Sequence, residues 1–333
     1  MNIKLLAPLV LLLLAACSGN PLGTGAVEPP TPCTDNCPVE PDDPVVVPTK
    51  LAQNMESITY NQASDSFVIK MSSLDTTPIT ATWNRRSALD LAGYRAYAVQ
   101  EDPLDRMFVG LAKTSSDGVA GGEGSVTAVA GGDGGQFNKV FQGGNYKRNG
   151  TWSAPVGTGA AGSGQVSYAG SYVGLTNIDA PRPGEILPVD GTTPPELIPG
   201  QPSRVQGDIF INANFSDNSV NGAIYNRVIV DYNFGLQSVI LVPTAIEANG
   251  TFTDDTERWV NDDPTMPVTG TYGGVFGGVG ATAVGGVVAL SKIYRSDTGA
   301  VIDGGVEAGV FVLQKCGTAG DAAICDQVAP SNP

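Results

Sequence analysis

Beyond residue 54, apolar and polar positions alternate with a period of two, the spacing of half-buried strands rather than helices. The clearest stretch is 207–230. Ile209, Ile211 and Ala213 share one face, Ser216 to Ser219 reads as a turn, and Val220, Gly222, Ile224 and Asn226 share a face of the returning strand. This predicts a hairpin. Shorter runs predict strands at 57–60, 66–71, 93–100, 106–111, 136–142, 151–153, 164–175, 235–242, 249–254, 270–276, 284–290 and 306–313. Residues 115–135 are rich in Gly, Ser and Asp and predict turns or a mobile loop. Seven prolines within 178–203 break any ladder there and predict a long loop or crossing. Many short strands without helical periodicity predict an all-β antiparallel sandwich or barrel.

Composition adds to this picture. Glycine supplies 43 of the 333 residues, and it permits the bends, bulges and close approaches that a tightly curved sheet needs. The chain has no histidine, which excludes Ser-His and Cys-His catalysis and His-ligated metal sites. The net charge is −15, and the densest basic runs are Arg85-Arg86 and Lys147-Arg148. Nucleic acid needs a basic patch that releases counterions, so it is excluded as a partner class. No cofactor is expected.

The first sixteen residues differ from the rest. Lys4 gives a positive start, 5–14 is apolar apart from Pro8, and the stretch ends in Leu14-Ala15-Ala16-Cys17. It is shorter than the roughly 20 residues of a membrane-spanning helix and has the layout of an export signal. The terminal tetrad resembles the lipobox of bacterial lipoproteins. That resemblance implies removal of 1–16 and attachment of diacylglycerol to the Cys17 thiol, with acyl chains such as palmitate as the anchor. Ser18 after Cys17 then implies sorting to the outer membrane, with its periplasmic and cell-surface faces both open. Two or three chains hold a protein firmly, whereas one anchors only marginally.

Residues 17–50 are rich in proline and acids, as in Pro29-Pro30-Thr31-Pro32 and Glu40-Pro41-Asp42-Asp43-Pro44. Such a segment favours extended polyproline geometry and predicts a solvated tether reaching on the order of 100 Å at most. Four further cysteines form two local pairs, Cys33 with Cys37 and Cys316 with Cys325. Export permits disulfides, and both pairs are expected to be bonded. An all-cysteine metal site is the alternative chemistry.

Two clusters are candidates for binding. Asp254, Asp255, Glu257, Asp262 and Asp263 surround Trp259 and offer hard oxygen ligands of the kind Ca²⁺ takes, without EF-hand spacing. A solvated loop is the simpler reading. Tyr168, Tyr172, Tyr272 and Phe276 would form either an aromatic ligand platform or barrel core, and packing is the favoured role.

The stretch 270–290, GTYGGVFGGVGATAVGGVVAL, resembles a recurring motif of the transferrin-binding protein B-like β-barrel surface lipoproteins. In that motif an aromatic-Gly strand passes a short turn and returns as a Val-Gly-Gly strand. Gly277, Gly278 and 281–287 occupy the corresponding places, with Thr282 and Ala283 where acids are common. The stretch 164–175 (GQVSYAGSYVGL), the 207–226 hairpin and 249–252 are similar to strands of the same barrel. The resemblance implies an eight-stranded antiparallel β-barrel on a lipid-anchored stalk at an outer membrane. The expected organisation is a lipoprotein signal peptide at 1–16, an acidic tether at 17–50, an N-terminal β region at 51–115 and the barrel at 116–333.

These readings lead to a non-enzymatic, lipid-anchored outer-membrane lipoprotein that binds a protein or a small solute through barrel loops. The alternatives are a structural envelope lipoprotein without a soluble ligand and a secreted hydrolase using two carboxylates. A membrane-embedded barrel is disfavoured, because the strands are short and rich in Asn where an outward apolar band would be needed.

Overall fold

The computed structural model describes residues 45–72, 79–115, 122–155, 164–182, 184–258, 267–318 and 320–328. They form three stacked β layers. The outermost is a three-stranded antiparallel sheet of β1 (Met55–Asn61), β2 (Ser66–Met71) and β3 (Ile79–Thr82). The middle layer is a five-stranded antiparallel sheet of β4 (Asn84–Arg85), β5 (Arg95–Val99), β6 (Phe108–Thr114), β7 (Val126–Asp133) and β8 (Gln142–Arg148). The third is a barrel of β9 (Gln165–Asp179), β10 (Pro202–Asn214), β11 (Ser219–Ile229), β13 (Val239–Ala245), β14 (Thr251–Arg258), β15 (Val268–Gly277), β16 (Ala283–Leu290) and β17 (Glu307–Gln314). A two-residue strand β12 (Phe234–Gly235) pairs with β11. Pairing runs β9–β10–β11–β13–β14–β15–β16–β17 and returns from β17 to β9. Eight antiparallel strands therefore close on themselves, which removes the sheet edges. The two α-helices, α1 (Thr49–Ala52) and α2 (Cys325–Val328), are single turns. No described helix is long and apolar enough to cross a membrane.

Strand alternation explains how one barrel wall serves two cores. On β17, Phe311 and Leu313 point into the barrel, while Ala308, Val310 and Val312 point out against the middle sheet. On β16, Val284 and Val288 point in, while Ala283 and Val287 point out. The middle sheet repeats the arrangement. Ala96 and Ala98 of β5 face the barrel, and Tyr97 faces the outer sheet among Phe67, Trp83 and Met55. Burial on both faces replaces the usual apolar–polar alternation with near-continuous runs of apolar residues and glycine.

That double burial accounts for one departure from expectation. Residues 126–133 (VTAVAGGD) are not turns or a mobile loop but β7, and every residue of it is buried. Gly131 lies under Met55 and Trp83, and a Cβ at Gly110 would sit 2.7 Å from Phe67. Only glycine lets the two sheets approach this closely. The expected strand at 136–142 is mostly a tight turn, with the strand itself starting at Gln142. Trp152 makes a single parallel bridge to Gly278 instead of a strand. The barrel starts at Gln165, so β7 and β8 lie with the flanking sheets.

The barrel interior is filled. Tyr168, Tyr172, Phe252, Tyr272, Phe276 and Phe311 are all fully buried there. The Tyr168, Tyr172, Tyr272 and Phe276 group is thus core and not a ligand platform. Trp152 closes one end, with its ring centroid 6.3 Å from that of Phe276.

Candidate functional site

The end of the barrel opposite Trp152 carries the long connections. They are the β9–β10 loop, the β11–β13 loop, the β14–β15 connection and the β16–β17 loop. The β7–β8 hairpin tip and the β5–β6 loop of the middle sheet join them. The Gly200 N–H donates to the Gly135 carbonyl at 3.1 Å, and the Leu187 N–H donates to Gln100 Oε1 at 2.8 Å. The proline-rich 178–203 segment is the loop its composition predicts, apart from the ends of β9 and β10 and one 3-10 turn at Pro195–Leu197.

Phe137 heads this end. Gln136 and Lys139 exchange backbone hydrogen bonds of 3.1 and 3.0 Å, and the two residues between them have positive φ, 53° at Phe137 and 56° at Asn138. This is the two-residue hairpin turn whose twist matches the flanking strands. Asn tolerates the left-handed region, whereas a bulky aromatic there is a genuine outlier. The turn holds it with its ring outward: Phe137 is 54% exposed.

Arg106 fixes the turn from below. Its guanidinium donates to the carbonyls of Gln136 and Lys139, on either side of Phe137, and to the Asp133 carboxylate. The same group stacks on the Phe141 ring at 4.9 Å from the centroid. Asp133 is buried, and its other oxygen accepts from the Phe141 N–H at 3.0 Å. Burial raises the Asp133 carboxyl above its ordinary range, against the opposing pull of the Phe141 N–H and the Arg106 charge. Gln136 then ties three segments together, donating to the carbonyls of Leu104 at 3.0 Å and Leu197 at 2.8 Å.

The barrel loops are braced similarly. Arg204 makes a forked contact with Asp231, at 2.6 Å for the shorter arm, and the Tyr232 hydroxyl donates to the Asp179 carbonyl. Asn177 donates to Gly304 and accepts from the Val306 N–H. Eight large hydrophobic residues are exposed among the described residues, and six of them lie at this end: Leu104, Phe137, Leu197, Tyr232, Val268 and Val301. Scattered exposed apolar residues need no explanation, but Phe137, Leu104 and Leu197 are joined at one braced point through Gln136.

Among the described residues of the acidic cluster, the carboxylates do not gather on one face. Asp254, Asp255 and Glu257 lie on β14, where Phe252 and Thr256 point inward. Alternation places Asp254 on the opposite face from Asp255 and Glu257. Trp259, Asp262 and Asp263 lie outside the described residues, as do Cys17, Cys33 and Cys37. Cys316 and Cys325 are joined by a disulfide with Cα atoms 5.3 Å apart. Sequence reasoning missed Phe137, Arg106 and Gln136. Gly134-Gly135 followed by Phe137-Asn138 carries a turn signal, yet nothing local shows that Arg106 reaches it across about thirty residues of chain.

Fold and loop end together define an all-β protein: a closed eight-stranded barrel flanked by two small sheets, with one apolar-tipped face. No protein-family profile matches the sequence, and no curated protein matches it. The solved structures to which the chain is similar include three transferrin-binding protein B structures. Intact Ap-TbpB, with N and C lobes, is 11% identical at a TM-score of 0.33, over 75% of this chain and 48% of that one. The isotype 1 protein from serogroup B Neisseria meningitidis is 10% identical at 0.31, over 77% and 50%. A mutant of the vaccine antigen from Haemophilus parasuis Hp5 is 12% identical at 0.30, over 78% and 53%. The chain spans about half the length of these structures.

Proposed function

We propose that this chain is a lipid-anchored, non-enzymatic β-barrel of the outer membrane that binds a protein partner through its loop end. The observation that carries the reading is the exposed, pinned Phe137 with Leu104 and Leu197 tied to its turn through Gln136, at the barrel end that holds six of the eight exposed large hydrophobic residues among those described. A rigid, partly exposed aromatic with apolar neighbours and braced backbone is the composition of an interface anchor. The filled interior supports binding at the loops over binding in the lumen. The apolar 5–14 segment, the Ala15-Ala16-Cys17 junction and the acidic proline-rich tether support export and anchoring.

Labelled palmitate with the full-length chain tests the anchor. The proposal expects incorporation in wild type and none in Cys17→Ala, with the Cys17→Ala chain released from the membrane fraction. Protease digestion of intact cells then distinguishes display at the surface from a periplasmic orientation. Retention of the Cys17→Ala chain in the outer membrane would overturn the anchoring.

A further inference from the structure

A cavity of 850 Å³ opens beside the β11–β13 and β16–β17 loops, lined in part by Arg227, Gln237, Arg258, Ser296 and Thr298. Its size is that of a small-molecule site. Arg227 is buried and held from behind: it donates to Glu307 at 2.5 Å and to the Gln237 carbonyl at 2.7 Å. Arg258 lies over the Tyr294 ring at 4.3 Å and donates to the Gly299 carbonyl at 3.0 Å. Among the described residues, no carboxylate forms an ion pair with Arg258, and none lines the cavity. The nearby acids are engaged elsewhere, Glu307 with Arg227 and Asp297 with Arg295. Among the described residues, Arg258 is thus the lining cation without an ion-pair partner.

Its polar atoms are also incompletely matched. Seven buried side-chain polar atoms lack a partner among the described residues, and three of them belong to the lining: Arg227 Nε, Arg258 Nε and Gln237 Oε1. Buried polar groups are paired in native proteins, so three unmatched atoms in the residues of one lining stand out. Two are donors suited to an anionic oxygen, and the third is an acceptor suited to a hydroxyl or amide hydrogen. The hydroxyls of the exposed residues Ser296 and Thr298 stand at the rim.

We propose that this cavity binds a small hydroxylated carboxylate, its carboxylate on Arg258 with Arg227 behind and its hydroxyl on Gln237. An acidic sugar and a hydroxy acid share this chemistry. A planar guanidinium matches a carboxylate in two-point geometry, which favours a carboxylate over an unspecific anion.

Isothermal titration of the full-length chain with D-glucuronate, citrate and glucose tests it. Saturable binding of glucuronate alone identifies an acidic sugar, and saturable binding of citrate alone identifies a hydroxy acid. Either acid should bind about tenfold more weakly to Arg258→Gln, the loss of one charge-assisted hydrogen bond. Thr298→Glu changes an exposed residue and places a like charge at the rim, so it should weaken binding without moving the thermal midpoint. Three results would overturn the proposal: no saturable binding of either acid, equal affinity in wild type and both variants, or glucose binding as tightly as glucuronate.

Discussion

Arg106 and Asp133 form a buried ion pair beneath the hairpin that displays Phe137, and the same guanidinium holds the two carbonyls flanking that residue. A pair buried this deeply is not evidence of net stabilisation, because desolvation offsets attraction. Its function here is geometric, since it fixes a turn that a bulky residue would otherwise avoid.

The pair has a measurable signature. Arg106→Met leaves Asp133 buried and unpaired, which costs about 3–5 kcal/mol by analogy with broken buried pairs. Replacing both, Arg106→Met with Asp133→Leu, should restore much of that loss. Urea unfolding of the three chains checks both statements. A single variant as stable as wild type would show that the pair is not coupled to the fold.

Acid should loosen the clasp between the outer and middle sheets. Asp65, in the β1–β2 turn, accepts from the Tyr97 hydroxyl at 2.5 Å and from Arg95 at 3.0 Å. These contacts, the Tyr97 hydrogen bond first, lower its carboxyl below the ordinary 3.8. The folded state therefore holds the proton less tightly than the unfolded state. The resulting stability is fully present above the unfolded value and disappears as pH falls through the lower folded value. Thermal midpoints of wild type and Asp65→Asn should differ at neutral pH and converge in strong acid. A difference that grows on acidification would reverse the assigned sign.

Inside the barrel, the Tyr172 hydroxyl donates to Glu307 at 2.6 Å while Glu307 accepts from Arg227. Tyr172→Phe keeps the ring and removes only this donor from a fully buried carboxylate. It should cost about 1–3 kcal/mol in chemical unfolding. An unaffected midpoint would mean that Arg227 alone satisfies Glu307.

The Cys316–Cys325 bond closes a short loop that seats the buried Cys325 against the barrel. Replacing both cysteines by serine should lower stability by roughly 2–3 kcal/mol on the loop-entropy account. A larger loss would indicate that α2 detaches as well.

Much of the barrel was legible in the sequence because its strands have one face inside and one outside. Ile209, Ile211 and Ala213 announce β10, and the turn at 215–218, one residue from the expected 216–219, fixes its register with β11. The middle sheet was harder to read. β7 is covered on both faces, so its Val-Ala-Gly sequence carries no polar alternation and looks like a glycine-rich loop. The binding end was the least legible. Arg106 meets Asp133, and Gln136 meets Leu197, only after the sheets have stacked. Spacing along the chain holds no trace of such contacts.

The central claim is that the Phe137 end is where this protein meets its partner. A photo-crosslinking residue placed at Phe137 of the full-length chain, in cells, tests it most directly, with the same residue at Val279 as the comparison. Val279 is also exposed, on the β15–β16 turn at the opposite end of the barrel. The account predicts a discrete protein adduct at position 137, diminished when Leu104 and Leu197 are changed to serine, and none at 279. Equal adducts at both positions, or an adduct at 279 alone, would contradict it.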